Sequence, residues 1–218
     1  MATKHGLNPR ARVADEAALL LYMGQEKEYK QAKLKAAKTL GARVLPSNAE
    51  VAEALDRVAE EREGEERKKR LIAMRGEALE IMKVLREMHP VLTGSVWRGT
   101  AHKGSDIDIV VFSDSSKRVQ QELGKANYRI IKTEQQAVTK QGKELQTFHI
   151  HLLLPSNNEV EIIVRGLDRK HVKEPCEIYG DVQTGLNIGQ LEQVLEINPT
   201  QKFAPNSAQT CLEPNRKV

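Results

Sequence analysis

Apolar residues recur at helical spacing through the first ninety residues of the chain, with charged residues between them. The spacing predicts four helices, over 13–25, over 26–40, from Ser47 through about Val58, and from about Glu65 to Met88. Ser47 precedes Glu50 by three residues, which is the pattern of a capping box. The periodicity breaks at 60–64, so we predict a helical extension over residues 1–64, followed by a separate domain.

Beyond Pro90 the pattern changes to short alternating or wholly apolar runs, which are typical of strands. The runs predict strands over 91–93, 106–112, 128–131, 147–154 and 159–165, a further or extending strand over 136–140, and helices over 115–123 and 191–197. Turn-forming residues predict a hairpin at 155–158 and another turn at Gly142. This order of elements predicts an α+β fold with a mixed sheet, a core domain over 65–168, and a C-terminal extension with a polar tail over 169–218.

Two acidic residues, Asp106 and Asp108, stand at the start of the predicted strand over 106–112. Side chains at i and i+2 of a strand point to one face, so the two carboxylates project together, roughly 7 Å apart along the backbone. Such a pair is poorly tolerated without a cation, and Mg²⁺ prefers one or two carboxylates together with substrate phosphates. The preceding Gly94-Ser95 turn is a candidate cradle for those phosphates. An ordinary polar turn, with Ser95 as a helix cap, would also explain these residues.

The spacing of these motifs resembles the DNA polymerase beta-like nucleotidyltransferase superfamily, and especially its minimal prokaryotic and archaeal members. The matching segments are Leu92-Thr93-Gly94-Ser95, Arg98-Gly99 and Ser105-Asp106-Ile107-Asp108-Ile109. The resemblance implies a polymerase beta palm-like mixed sheet. It also implies metal-dependent transfer of a nucleoside monophosphate from a nucleoside triphosphate, with ATP as the expected donor. The acceptor would be a hydroxyl group on RNA, protein or a small molecule, and pyrophosphate would be released.

The resemblance further implies that Asp106 and Asp108 hold two divalent cations, Mg²⁺ or Mn²⁺, with a third carboxylate on a neighbouring strand. Glu159 and Glu161 are both candidates for that third ligand. We favour Glu161, because it lies deeper in an apolar run, whereas Glu159 borders the predicted turn. The family often has Asp at this position, and Glu is one methylene longer.

Other residues of the motif region are assigned to the nucleotide by the same resemblance. Gly94 and Ser95 would hold the β- and γ-phosphates at a helix N-terminus. Arg98 and Lys103 would add phosphate contacts, with a solvated charge as the alternative for each. Trp97 is the only tryptophan, and we expect it to pack the short helix onto the sheet rather than to stack on a base.

Three histidines lie near these elements. His102 is either a phosphate contact or an exposed loop residue. His149 and His151 are spaced i, i+2 on one predicted strand and therefore share a face. We expect that face to carry neither acid. Because the pair has no evident third metal ligand, we predict a structural role for both.

Composition is compatible with this interpretation. The 218-residue chain has a net charge of +4 and a pI near 9.0, which suits a nucleotide or RNA partner. No apolar run reaches the ~18 residues of a membrane helix, so we expect no membrane partner. Cys176 and Cys211 form neither a metal-ligand spacing nor a disulfide framework, which favours a reducing cytoplasm.

Two alternatives from other functional classes remain open from the sequence. One is a non-catalytic module that keeps the fold and binds a nucleotide or RNA. The other is an interaction protein built on the helical extension, which would leave the acidic residues unexplained. The extension itself could bind RNA such as tRNA, a protein partner or acceptor, a second subunit, or only the catalytic domain.

Overall fold

The computed structural model describes residues 8–203 and 205, apart from 141 and 142, and gives only the backbone for 137–140 and 143–146. The predicted turn at Gly142 and almost all of the polar tail beyond residue 203 lie outside the described residues. The elements are α1 (Pro9–Tyr22), α2 (Tyr29–Thr39), α3 (Asn48–Val84), β1 (Val91–Thr93), α4 (Gly94–Arg98), β2 (Ile107–Phe112), α5 (Ser116–Lys125), β3 (Ile130–Lys140), β4 (Lys143–Leu153), β5 (Glu159–Arg165) and α6 (Ile188–Ile197).

A helical unit is formed by α1, α2 and the first half of α3. Its own buried cluster is built largely of alanines and leucines between Val13 and Ala59. The predicted capping box is confirmed, since the Glu50 amide donates to Ser47 Oγ at 3.2 Å and the Ser47 amide donates to Glu50 Oε2 at 2.7 Å. Helix α3 kinks at Gly64, where φ is +50° and ψ is −126°, so the predicted break in the helix lies within 60–64 as expected.

A five-stranded mixed sheet, of order β1-β2-β5-β4-β3, forms the rest of the fold. β2 and β5 are parallel, and the other neighbouring pairs are antiparallel. The second half of α3, together with α5, packs on one face, over a core that includes Ile109, Ile150 and Ile162. This arrangement confirms the α+β fold class.

Several element bounds differ from those predicted. The third strand runs unbroken from Ile130 to Lys140, and its partner begins at Lys143. Helix α6 begins at Ile188 because Asn187 and Gln190 form a second capping box. Leu191 and Val194 of that helix join the main core, so this part of the predicted C-terminal extension packs on the sheet domain. The domain boundaries at 64 and 168 stay predictions.

The segment after α6 folds back onto α4. Arg75 of α3 is fully buried and donates to the carbonyls of Val96 and Trp97 at 3.1 and 2.9 Å. It also donates to the carbonyls of Pro199 and Gln201 at 2.7 and 2.8 Å. Its pKa is lowered to about 10 by burial. One guanidinium therefore fixes α4, and with it the Gly-Ser turn, against both α3 and the returning chain.

No helix within the described part of the chain combines the length and the apolar character that crossing a membrane requires.

Candidate active site

Three carboxylates converge at one edge of the polar sheet face. Asp106 immediately precedes β2, Asp108 is its second residue, and Glu161 lies directly beside Asp108 because β2 and β5 are parallel and in register there. One oxygen of each carboxylate lies within 4.8 Å of the other two. Among the residues that the structure describes, this is the one group of three or more potential ligands close enough to share a metal ion. Glu159 is exposed at the start of β5 and is outside the group.

The charges in this cluster oppose one another. The pKa of Asp108 is raised well above its usual value by burial and by the negative charges of Asp106 and Glu161. The pKa of Asp106 is raised as well, by loss of hydration and by the charges of Glu161 and Glu159, although much of its surface faces the mouth of the site. Bringing these groups together is therefore unfavourable in the absence of a compensating cation.

Gly94 shows why a glycine precedes the acids. Its φ is +67°, and a Cβ there would lie 1.8 Å from Asp108 Oδ2 and 2.8 Å from Asp108 Cγ. The Asp108 carboxylate thus occupies the space that any side chain at this position would fill. The Gly-Ser motif therefore requires glycine at its first position, because Asp108 packs closely against the backbone of the turn.

A cleft of about 980 Å³ runs from the acidic cluster to the helical unit. Ser95 and Asp106 line it on the sheet domain, and Tyr22 and Lys27 line it on the helical unit. Its volume lies at the upper end of the range typical of small-molecule sites, ~300–1,000 Å³. The cleft therefore has room for a nucleotide that reaches from the acids towards the helices.

Arg98 is not solvated, so that alternative is wrong. It is 4% exposed and makes a two-pronged ion pair with Asp181, at 2.7 and 3.0 Å. It also donates to the Phe203 carbonyl at 2.9 Å, and it lies between the rings of Trp97 and Tyr179, 4.3 and 4.8 Å from their centroids. Trp97 packs as expected. A phosphate contact from Arg98 stays a prediction and would compete with its bonds to Asp181.

Lys103 lines the cleft where the loop before Asp106 contacts Tyr22. Its ammonium group is 4.6 Å from the centroid of the Tyr22 ring, and its amide donates to Glu63 at 3.0 Å. The His102 ring lies 6.0 Å from Tyr22 and accepts from the Gly104 amide at 3.1 Å. Partial burial lowers the pKa of His102. The loop before Asp106 is thus held against the helical unit, and a phosphate contact from Lys103 stays a prediction.

The expectation that His149 and His151 lie away from the acids is wrong. His149 Nδ1 is 2.7 Å from Glu161 Oε1, and His151 Nε2 is 3.9 Å from the same oxygen. His151 bonds instead to Glu134 on β3, at 3.1 Å, and Glu134 pairs with Lys132 at 2.7 Å. The acidic cluster therefore continues across the sheet into a row of charged and polar groups on three strands.

The length of the hairpin loop explains why both histidines share a face with Glu161. A four-residue turn over 155–158 would pair His151 with Ile162 and place both histidines on the face opposite Glu161. The turn contains three residues, because the Leu154 amide donates to the Asn158 carbonyl, and Asn157 adopts the left-handed conformation that such loops use. His151 is consequently opposite Glu161. A one-residue change of register moves every side chain to the other face.

The donor set fits a hard cation. Its three side chains offer only carboxylate oxygens, which suit Mg²⁺ or Mn²⁺, and the open position beside Ser95 leaves space for substrate oxygens. Mutual repulsion of the carboxylates and the space kept by Gly94 are both consistent with such an ion. The catalytic and metal-binding roles of these residues stay predictions.

The nucleotidyltransferase domain family matches this chain over residues 77–146, which include β1, α4 and β2. Similar solved structures include a cytoplasmic RNA terminal U-transferase, at 20% identity and a TM-score of 0.32, covering 44% of this chain and 29% of that one. The Cid1 RNA terminal uridylyl transferase is 18% identical, with a TM-score of 0.32, covering 44% of this chain and 30% of the other. The chain spans about a third of the length of these structures. No protein of curated function matches it.

The family match contains the Gly-Ser turn and both aspartates, which are the segments on which the sequence-based resemblance depended. The resemblance is therefore confirmed over residues 77–146, which match the nucleotidyltransferase domain family.

Proposed function

We propose that this protein transfers a nucleoside monophosphate from a nucleoside triphosphate to a hydroxyl acceptor, and that Asp106, Asp108 and Glu161 hold the required Mg²⁺ or Mn²⁺. The observation that carries the proposal is the convergence of these three carboxylates beside the Gly94-Ser95 turn, on the open face of the sheet. The alternative of an interaction protein built on the helical extension would leave an electrostatically costly cluster without a use.

Each residue has a distinct task in this proposal. Bound divalent cations neutralise the leaving pyrophosphate and make the acceptor hydroxyl easier to deprotonate. Asp106 and Asp108 orient the donor phosphates by holding the ions next to the turn, and Ser95 offers its hydroxyl to the β- and γ-phosphates. Glu161 faces the acceptor side. Most of the rate enhancement would come from positioning and from charge neutralisation.

The helical unit would select the acceptor. It forms one wall of the cleft, through Tyr22, Met23 and Lys27, yet contributes no residue to the acidic cluster. We propose ATP as the first nucleotide donor to test. RNA (including tRNA), proteins and small molecules are the candidate acceptors, and the cytoplasm is the proposed cellular location.

Labelling in extract tests donor and acceptor together. The purified protein and Mg²⁺ are incubated with each of the four nucleoside triphosphates, labelled at the α-phosphate, in cell extract. We expect transfer of label from ATP to one macromolecular or small-molecule fraction, which ribonuclease and protease treatment then identifies. Binding of nucleotide without any labelled product or pyrophosphate would favour the non-catalytic alternative.

Substitutions at exposed positions on the cleft wall test the role of the helical unit better than deletion of the whole unit. Removing residues 1–63 would deprive the buried Arg67 of its partners Asp56 and Glu60. Lys27→Glu should reduce transfer to the native acceptor without changing nucleotide affinity, since Lys27 is exposed and lines the cleft. Lys30→Glu, exposed on the same unit but outside the cleft lining, is the matched control. Equal transfer rates in the two variants would argue against acceptor selection by this wall.

A further inference from the structure

His149 is a buried polar side chain beside the acidic cluster. It is 8% exposed, and both of its ring nitrogens have partners. Nδ1 lies 2.7 Å from Glu161 Oε1, and Nε2 lies 2.9 Å from Thr147 Oγ1. Three residues on two strands thus form a continuous chain of hydrogen bonds that ends on the proposed metal ligand of β5.

The chemistry of the Glu161 carboxylate determines which group donates in the hydrogen bond between His149 and Glu161. A carboxylate only accepts hydrogen bonds, so the proton must be on His149 Nδ1. The Thr147 hydroxyl can donate to Nε2 at 2.9 Å, or instead to the Gln136 carbonyl at 3.4 Å. In both arrangements Nδ1 donates to Glu161, and the shorter distance favours a Thr147 hydroxyl that fixes the ring by donating to Nε2.

The neighbouring histidine does not have the same geometry. His151 is directly opposite Glu161 in the ladder, but its Nε2 bonds to Glu134 at 3.1 Å and stays 3.9 Å from Glu161 Oε1. Glu134 is held in turn by Lys132. Of the two histidines, only His149 is placed to fix the Glu161 carboxylate.

We propose that His149 is a positioning residue that holds Glu161 Oε1, so that Oε2 faces the divalent cation and the acceptor. The proposal rests on the proposed function. A glutamate has one more rotatable bond than the aspartate that the resemblance implies at this position, so its carboxylate needs an anchor to keep a fixed geometry. The short bond from a buried imidazole supplies that anchor, and the Thr147 hydroxyl orients the imidazole.

Substitutions that separate the two ring nitrogens test the proposal. In His149→Asn the amide nitrogen replaces Nδ1, whereas in His149→Gln it lies closer to the place of Nε2. His149→Phe keeps the ring and removes both nitrogens. We expect kcat to fall about 10- to 100-fold in the Phe and Gln variants and to recover largely in the Asn variant, with KM for the nucleotide changed less than about threefold throughout. His151→Asn is the matched control and should change kcat less than about threefold.

Two readouts do not depend on turnover. Electron paramagnetic resonance of Mn²⁺ should show affinity at the acidic cluster weakened about 10- to 100-fold in His149→Phe and restored in His149→Asn. Imidazole nitrogen shifts in the metal-free wild type should show a proton on Nδ1 of His149. These measurements keep the test valid even if the acceptor is not yet known.

The outcomes separate the two proposals. Wild-type kcat and Mn²⁺ affinity in His149→Phe, or better rescue by Gln than by Asn, would overturn the role of His149. If the Phe variant is misfolded, the comparison of Asn with Gln decides the question. If the wild type transfers nucleotide to no acceptor, the proposed function fails, while Mn²⁺ affinity and the position of the proton still decide for or against His149.

Discussion

Substituting Gly94 by alanine tests the packing on which the acidic site depends. The added Cβ would lie 1.8 Å from Asp108 Oδ2, whereas ordinary contact begins near 3.4 Å, so the oxygen must move by about 1.6 Å. Metal ligands are held to within about 0.2 Å of their ideal distances, so a displaced Asp108 no longer binds the ion. The φ of +67° adds roughly 1–2 kcal/mol of backbone strain for any residue with a side chain.

Gly41→Ala separates strain from displacement of the carboxylate. Gly41 has a φ of +61°, and a Cβ added there would meet no atom within 4 Å, so this variant carries the strain alone. In urea Gly41→Ala should lose about 1–2 kcal/mol of unfolding free energy, and Gly94→Ala should lose at least as much because its added Cβ also collides with Asp108. With Mg²⁺ and ATP at about 100 times their dissociation constant, the wild type and Gly41→Ala should gain about 2.7 kcal/mol, and Gly94→Ala almost nothing. Full stabilisation of Gly94→Ala by Mg²⁺ and ATP would show that the site does not depend on the space beside Gly94.

Further substitutions probe the acidic site and the buried arginine that supports it. Asp106→Asn combined with Asp108→Asn should abolish stabilisation by Mg²⁺ and nucleotide and should raise the melting temperature of the metal-free protein. The folded-state pKa values of both acids are raised, so their ionisation above about pH 4 favours the unfolded chain. A metal-free double variant that melts below the wild type would contradict this destabilising effect of the two charges. Glu161→Gln should lower transfer at least about 100-fold while nucleotide affinity is kept, and the exposed Glu159→Gln should have little effect. A reversal of these rates would mean that Glu159 is the third ligand. Arg75→Met should lower the free energy of unfolding in urea by about 3 kcal/mol or more, since four backbone carbonyls lose their hydrogen-bond donor. A loss below about 1 kcal/mol would show that these carbonyls find other partners.

Local patterns predicted the part of the site that is local in sequence. The Gly94-Ser95 turn, the strand that carries Asp108 and the capping box at Ser47 all depend on spacings of a few residues, and all are present in the structure. Side-chain alternation placed Asp106 and Asp108 together. The choice of Glu161 over Glu159 used depth in the strand, which is the feature that separates them in the structure.

What the sequence did not predict depends on register and on distant segments. The face of His149 follows from a three-residue hairpin loop, and the composition of 155–158 did not distinguish three residues from four. Arg98 was expected at a phosphate or in solvent, because nothing near it in sequence shows that Asp181 and Phe203 return to cover it. The cleft likewise needs helices and loops that are far apart in the sequence, and only their packing shows that they face one another.

Pyrophosphate release by the purified protein decides whether Asp106 and Asp108 support metal-dependent nucleotide transfer. The assay uses ATP, Mg²⁺ and the acceptor fraction identified by labelling, and it compares the wild type with the combined Asp106→Asn and Asp108→Asn variant. We expect one pyrophosphate for each nucleotide transferred by the wild type, loss of both products when Mg²⁺ is chelated, and neither product from the variant. Transfer that persists in the folded double variant, or in the absence of any divalent cation, would contradict this expectation.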